Sequence, residues 1–325
     1  MPLVLTESDV KALISMDDLI ETMESALVEF SARRVQQPLR TIVTVGERSF
    51  FGVMPAYMPA LPAVGIKLVT VFAGNAEVGL PTHLATIMLL DPATGALVAI
   101  MDGRYITEAR TAAVSAVSVR HLARADAGAL AIVGSGVQAR SHLEAIARVR
   151  QVRDVRVWSP SVERREAFAS EMSATAGARI VPAADAREAV RDADIIVLAT
   201  ASREPVVRSA WVHDGAHICA VGACRPNQRE MDGMLVARAR LYVDSREGAL
   251  AEAGDVVLAM AEGVIDAAHI AGELGEVVSA TAPGRQSEHD VTIFKSLGMA
   301  VEDVAAAHLA WERAKVRGVG RNYEL

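Results

Sequence analysis

Residues 129–139 read Ala-Leu-Ala-Ile-Val-Gly-Ser-Gly-Val-Gln-Ala. The apolar run Ala129 to Val133 reads as a short buried strand, and a helical pattern begins directly after Gly136. Gly134 lets the chain turn sharply, Gly136 removes the side chain that would block a pyrophosphate, and Ala139 lets the helix pack close to the strand. The N–H groups that open this helix face an anion placed at its end. A second strand, Val155 to Trp158, follows at the distance of a βαβ unit. Together these features predict a dinucleotide site.

The end of that second strand bears on which dinucleotide. NAD sites usually place an acid there to bind the ribose 2′-OH. Here the chain reads Val157-Trp158-Ser159-Pro160-Ser161, without an acid, and Arg164 and Arg165 follow. Hydroxyls and a guanidinium suit a 2′-phosphate, although Glu163 lies close and opposes one. The expectation is NADPH, with NADH possible.

A second set of residues could hold a small acid. Arg40 offers a planar fork for bidentate carboxylate binding. Lys67 sits in the otherwise apolar stretch Gly-Ile-Lys-Leu-Val-Thr-Val-Phe, where a charge without a partner is costly. Arg110 lies on a predicted helix. Each also has a plainer reading: a surface salt bridge for Arg40, a snorkelling strand-edge lysine for Lys67, a helix-face charge for Arg110. His83 is the nearest histidine and reads as a hydrogen-bonded structural residue rather than a base. Asp102 and Glu108 are the acids expected to orient the arginine or the lysine.

Thr6 with Asp9 and Ser15 with Asp18 read as helix caps. Leu19, Ile20, Met23, Leu27 and Phe30 recur at helical spacing. From Pro38 the texture changes, and residues 40–45, 50–54 and 64–72 are β-rich. Residues 86–102 read as a hairpin turning at Asp91-Pro-Ala-Thr-Gly95, and a helix covers Ile106 to Leu122. This part has no βαβ repeat and reads as a separate α+β domain. From Ala129 strands and helices alternate, with strands at 129–134, 155–159, 178–181, 194–200, 216–221 and 240–243, as in a doubly wound parallel sheet. An Ala-rich helix, Met299 to Val316, is expected to fold back onto the first domain. The expected domains are 1–122 with 302–325, and 123–301.

Bulk properties narrow the function. A net charge of −7 with scattered basic residues argues against a nucleic-acid or anionic-membrane surface. No apolar run approaches the ~18 residues of a membrane span, and the start carries no basic region ahead of a long apolar core. Cys219 and Cys224 fit a reducing cytoplasm, and their spacing without a His or Cys cluster predicts no metal.

The chain resembles the ornithine cyclodeaminase/mu-crystallin family. The resemblance rests on an ordered series: Pro38-Leu-Arg40-Thr41, Met54-Pro55-Ala56-Tyr57, Gly65-Ile-Lys67-Leu-Val, Gly79-Leu-Pro-Thr82-His83 and Glu108-Ala-Arg110-Thr111-Ala112-Ala113. It continues through Gly134-Ser-Gly136-Val-Gln138-Ala139, Val221-Gly-Ala-Cys224-Arg225-Pro226, Gly272-Glu273-Leu-Gly275 and Phe294-Lys-Ser296-Leu-Gly298. It implies an α/β fold: a Rossmann doubly wound parallel sheet plus an α+β N-terminal substrate and dimerisation domain, closed by the C-terminal helix, in a homodimer.

The resemblance also implies roles. Arg40, Lys67, Arg110 and Leu297 would bind a small α-imino or α-amino acid, with Lys67 and Arg110 at the chemistry. Thr82, Arg110, Gly134, Gly136, Val137, Gln138, Ser159, Ser161, Arg164, Thr200, Val221 and Ser296 would bind the cofactor. In ornithine cyclodeaminases the loop after the Val221 strand carries an aspartate that handles protons. Cys224 takes its place here, and a thiol with a pKa near ~8.5 is a poor substitute for a carboxylate. The loop is closer to that of mu-crystallin and related ketimine reductases, although Asn227 stands where an aspartate is usual. The expected activity is therefore reduction of a small ketimine or cyclic imino acid, such as Δ1-pyrroline-2-carboxylate, to an L-amino acid. Ornithine cyclodeamination, oxidative deamination as in alanine dehydrogenase, and a non-enzymatic mu-crystallin-like NADP-binding role are the alternatives.

Overall fold

A computed structural model describes residues 1–47, 49–173 and 177–324. The chain divides into two compact units, Met1–Arg110 with Gly298–Leu325, and Thr111–Leu297. Both divides come earlier than the junctions expected at 122/123 and 301/302, and the first falls inside a helix.

The chain begins with β1 (Leu3–Leu5), α1 (Glu7–Leu13), α2 (Met16–Ser31), β2 (Thr41–Gly46), β3 (Ser49–Met58) and β4 (Ala63–Phe72). It continues with β5 (His83–Leu90), β6 (Leu97–Asp102) and α3 (Arg104–Leu122). Strand and helix then alternate through β7 (Ala129–Val133), α4 (Val137–Val149), β8 (Asp154–Trp158), α5 (Val162–Ser173), β9 (Arg179–Pro182), α6 (Ala186–Val190) and β10 (Ile195–Leu198). Next come β11 (His217–Ala220), α7 (Gly233–Arg238), β12 (Arg240–Val243), α8 (Arg246–Glu252), α9 (Gly254–Ala261), β13 (Ile270–Glu273), α10 (Leu274–Val278) and β14 (Thr292–Lys295). The chain closes with α11 (Ala300–Arg317) and β15 (Arg321–Asn322).

In the first unit the sheet order is β15-β1-β6-β5-β4-β3-β2, antiparallel except where β1 runs parallel to β6. The hairpin between β5 and β6 is stabilised at its turn: Asp91 Oδ1 accepts the N–H groups of Ala93 and Thr94 at 2.8 Å, and Gly95 takes the positive φ of +72°. Both expected capping boxes are present, Thr6 with Asp9 and Ser15 with Asp18. Asp18 also accepts from Arg313 at 2.6 Å, which ties the start of α2 to α11. Helix α11 packs on α2 and across β3, β4 and β5, so the last helix folds onto the first unit. A Cβ on Gly65 would meet Val304 Cγ2 at 2.9 Å, so β4 and α11 approach closely only because that position is glycine.

In the second unit all eight strands are parallel, in the order β13-β12-β14-β11-β10-β7-β8-β9. Strands β10, β11 and β14 are buried along their whole length, as expected where helices cover both faces. Strands β1, β13, β14 and β15 go beyond those read from the sequence. The order reverses between β7 and β10. Such a switch point, at the carboxyl ends of the strands, is where open α/β sheets bind ligands.

Candidate active site

In the first unit, Lys67 lies in mid-β4, with Met54 opposite on β3 and Ile87 opposite on β5. Ile87 in turn faces Met101 on β6. Directly opposed residues share a face, so Lys67 stands in an apolar row. It lies two residues from Gly65, on the face covered by α11, and is 2% exposed. Such a charge needs partners, and the first turn of α11 provides one: Asp303 Oδ2 lies 2.5 Å from Lys67 Nζ. Asp303 Oδ1 accepts Arg110 Nε at 2.9 Å, and Glu302 Oε2 accepts Arg110 Nη1 at 2.8 Å. Glu302 and Asp303 are completely buried, and Arg110 nearly so. Half-buried Arg40, just ahead of β2, donates from Nη2 to the Gly298 carbonyl at 3.5 Å, immediately before α11.

The charges shape one another. Burial, with the nearby Arg110 and Arg40, lowers the Lys67 pKa to about 8, against the pull of Asp303. Burial works to raise Asp303, but Arg110 and Lys67 outweigh it and hold the carboxyl below its ordinary value. His83 is lowered to about 4 by burial and by the Lys67 and Arg110 charges, so its ring is neutral near pH 7. Among the described residues no hydrogen bond reaches that ring, unlike the hydrogen-bonded histidine expected. Asp102 accepts the backbone N–H of Arg104 at 2.9 Å, and the field of Glu108 acts on Arg104. Two acids that contact Lys67 and Arg110, Glu302 and Asp303, come from α11. Thr82 is exposed, and its carbonyl accepts the Phe72 N–H at 2.9 Å.

In the second unit a groove of about 420 Å³ opens at the switch point. Gly134, Gly136, Ser159, Ser161, Arg164 and Thr200 all line it. Gly134 has φ +123°, and a Cβ there would lie 2.5 Å from the Ala199 carbonyl oxygen, so this position must be glycine for the fold itself. Gly136, the N-cap of α4, is different: a Cβ there would meet no protein atom within 4 Å. The space it would fill lies at the amino end of a 13-residue helix, as a pyrophosphate cradle requires. Val137 is exposed, and the buried Gln138 Oε1 lacks a hydrogen bond. At the carboxyl ends of the strands the Val221 N–H donates to Leu198 O, and the buried Ser296 Oγ lacks a hydrogen bond. The Leu297 N–H donates to Asp244 Oδ2 at 2.6 Å.

Just past β8, Ser159 Oγ donates to the Ser161 carbonyl at 3.1 Å, and Ser161 Oγ donates to Glu163 at 2.8 Å. Arg165 donates to the carbonyls of Ser159 and Ala184, whereas Arg164 lines the groove. Cys224 is a free thiol donating to the Val221 carbonyl at 3.3 Å. The residues fit a dinucleotide on their own geometry.

Among the buried charged residues that escaped the sequence reading are Glu302 and Asp303, and, in the second unit, Glu230, Asp244, Asp255 and Lys295. Lys295 carried a usable signal, since like Lys67 it is a lone cation in an apolar strand. The α11 acids look like ordinary first-turn residues favoured by the helix dipole.

Comparison with known proteins agrees with this geometry. Residues 1–318 match the ornithine cyclodeaminase/mu-crystallin family, and the chain belongs to it. It is 45% identical over 298 residues to ketimine reductase mu-crystallin of Mus musculus, covering 90% of this chain and 91% of that protein. The structure of Thermococcus litoralis Δ1-pyrroline-2-carboxylate reductase in complex with NADH and L-proline superposes with a TM-score of 0.96 at 42% identity, covering 99% of this chain and 100% of that one. An archaeal alanine dehydrogenase dimer with bound NAD gives a TM-score of 0.95 at 33% identity, covering 99% of each chain.

Proposed function

We propose that the chain is an NAD(P)H-dependent reductase of small ketimine carboxylates, such as Δ1-pyrroline-2-carboxylate, yielding an L-amino acid. The observation that carries this reading is the charge arrangement around Lys67. Three cations, Arg40, Lys67 and Arg110, are grouped with two carboxylates, Glu302 and Asp303. Guanidinium and ammonium groups gathered in this way suit a substrate carboxylate. Arg40, the most accessible of the three cations, holds that carboxylate, and Arg110, fixed by both acids, backs it. Lys67 lies at the imine nitrogen and tunes its protonation. A reduced nicotinamide, when bound, supplies the hydride for the imine carbon. The α4 amino end and Gly136 hold its pyrophosphate, Gln138 and Ser296 offer it buried polar atoms, and Arg164 takes a 2′-phosphate. NADPH is the preferred cofactor and NADH an accepted one.

The thiol at Cys224 favours imine reduction over ornithine cyclodeamination, which needs a carboxylate there. The Thermococcus litoralis complex, with NADH and L-proline, supports the same class of substrate. Homodimerisation is supported by the edge strand β2, exposed on both faces with Ile42, Val43 and Val45 at 47–59% exposure. The alanine dehydrogenase dimer is consistent with it. Among the described residues no helix is long and apolar enough to cross a membrane, and both cysteines are free, which fits a cytoplasmic enzyme. The test is cofactor oxidation against a panel of cyclic imino acids, 2-oxo acids with ammonia, and ornithine. Turnover of Δ1-pyrroline-2-carboxylate is expected, and efficient release of ammonia from ornithine would overturn the reading.

A further inference from the structure

Glu230 lies at the end of the loop after β11 and is completely buried. Its carboxylate bridges two neighbouring loops. Oε1 accepts the Thr200 N–H, just past β10, at 2.6 Å, and Oε2 accepts the Gly222 N–H, just past β11, at 2.8 Å. The two loops are pressed together, since a Cβ on Gly222 would lie 2.6 Å from Thr200 N and 2.5 Å from Glu230 Oε1. On the other side, Asp255 Oδ1 accepts the N–H groups of Glu230 and Met231 at 2.7 and 3.1 Å. Asp255 Oδ2 lies 3.1 Å from Lys295 Nζ on β14. Glu230, Asp255 and Lys295 are all out of water, and half-buried Thr200 lines the dinucleotide groove.

We infer that Glu230 is a positioning residue for the dinucleotide: its ionised carboxylate clamps the loops after β10 and β11 in the form that receives the cofactor. The inference rests on reading this unit as dinucleotide-binding. An ionised carboxylate can accept from both N–H groups at once. A protonated one carries a hydroxyl on one oxygen, which leaves one buried N–H poorly paired. The charged groups acting on it are Lys295 from β14 and Asp255 from α9, and Cys224 of its own loop acts on Lys295. Burial raises the Glu230 carboxyl to about 7, with Lys295 working against the rise and Asp255 adding to it. The clamp therefore loosens as pH falls through neutrality.

The test is the Kd of NADH for the whole protein, read by nicotinamide fluorescence from about pH 6 to about pH 9. NADH is the probe because it lacks the 2′-phosphate, which itself titrates near pH ~6. The wild-type Kd is expected to be flat above about pH 8 and to rise roughly tenfold per unit below the midpoint. Glu230→Gln is expected to bind NADH about tenfold more weakly at pH 8 and to lose the pH dependence. A wild-type Kd that does not change with pH, or a Glu230→Gln variant that keeps the wild-type slope, would overturn the inference. Where Glu230→Gln does not fold, infrared difference spectra of the wild type decide. A buried neutral carboxyl must ionise as NADH binds near pH ~6.5, and its absence overturns the inference. Failure of the wild type to bind NADH at every pH would instead overturn the dinucleotide reading on which the inference rests.

Discussion

Lys67 Nζ lies 2.5 Å from Asp303 Oδ2, joining mid-β4 to the first turn of α11. The contact explains how a cation is kept in an apolar row, and with the role proposed for Lys67 it predicts an activity that depends on pH. With its pKa lowered from 10.5 to about 8, Lys67 loses its proton within a measurable range. The kcat/KM for imine reduction is expected to fall as pH rises through about 8. Asp303 is the carboxylate that favours the ammonium, so Asp303→Asn should move this limb to lower pH as well as lowering the rate. An unmoved limb in the pH–rate profile would show that Lys67 is not the group titrating. Stability changes in the opposite sense: between about pH 8 and 10.5 the unfolded chain holds a Lys67 proton that the folded chain has lost. The Lys67 contribution to stability therefore rises with pH across that window, and denaturant titrations of wild type and Lys67→Met should differ in slope there.

Arg40 is expected to bind substrate and not cofactor. Truncating one partner of a desolvated, bidentate charge pair costs about 2–5 kcal/mol, roughly 30-fold or more in kcat/KM. Arg40 is only half-buried, so the lower end of that range is expected. Arg40→Ala should lower kcat/KM for the imino acid by this amount while the Kd of NADH stays within about twofold. A value of kcat/KM within about twofold of wild type would remove Arg40 from the clamp.

Gly298 lies against the Arg110 guanidinium. Its φ is +81°, and a Cβ would sit 2.6 Å from Arg110 Nη2 and 2.9 Å from Cζ. An arginine tip could ordinarily swing away, but this one is held by Asp303 and Glu302. Gly298→Ala is therefore expected to cost about 1–3 kcal/mol of stability through backbone strain, and to lower kcat/KM by displacing Arg110. Chemical denaturation and steady-state kinetics on the same preparation check both parts. Wild-type stability would show that the guanidinium is free to move.

Local chemistry was the readable part of the sequence. The Thr6–Asp9 and Ser15–Asp18 caps, the Asp91–Gly95 turn and the Gly134–Ala139 run each depend on residues within a few positions of one another, and each is present in the fold. What escaped depends on distant residues. Arg110 and Asp303 are 193 positions apart, and no local pattern distinguishes Asp303 from an acid placed to suit a helix dipole. The nearer acids, Asp102 and Glu108, were the natural choice because they lie close in sequence. Strands β13 and β14 are no shorter than β10, β11 and β12, which read as strands, but their brief apolar runs are broken by Gly272, Glu273 and Lys295. Lys295, like Lys67 a cation in an apolar strand, carries a signal of a buried counter-ion, but no local pattern identifies that partner as Asp255.

Cofactor preference turns on the few residues after β8. Ser159 is buried and donates to the Ser161 carbonyl, leaving no acid to repel a 2′-phosphate, and Arg164 lines the groove. Glu163, which accepts from Ser161, works in the other direction. A higher kcat/KM with NADPH than with NADH is expected. Arg164→Ala should erase the difference, and Ser159→Asp should reverse it by supplying an acceptor for the ribose hydroxyls and like-charge repulsion for the phosphate. The ratio measured at one ionic strength is the check, and better use of NADH by the wild type would place Arg164 outside cofactor recognition.

Gly134 and Gly136 differ by two positions, and substitutions at them should fail in opposite ways. Gly134 is required by the protein: φ is +123°, and a Cβ would lie 2.5 Å from the Ala199 backbone oxygen, which cannot retreat. Gly134→Ala should lower stability by about 1–3 kcal/mol whether or not cofactor is present. Gly136 is expected to be required by the ligand instead. Its φ of −84° and ψ of −165° are open to any residue, and a Cβ there meets no protein atom within 4 Å. Gly136→Ser even gives α4 a better N-cap, so its thermal midpoint without cofactor should equal or exceed that of the wild type. The same hydroxyl occupies the phosphate cradle and takes an N–H meant for the anion, so the Kd of NADH should rise at least about tenfold, the equivalent of ~1.4 kcal/mol. Thermal melts with and without NADH separate the two cases. A Gly136→Ser protein with wild-type NADH affinity would mean that the pyrophosphate does not lie at the amino end of α4.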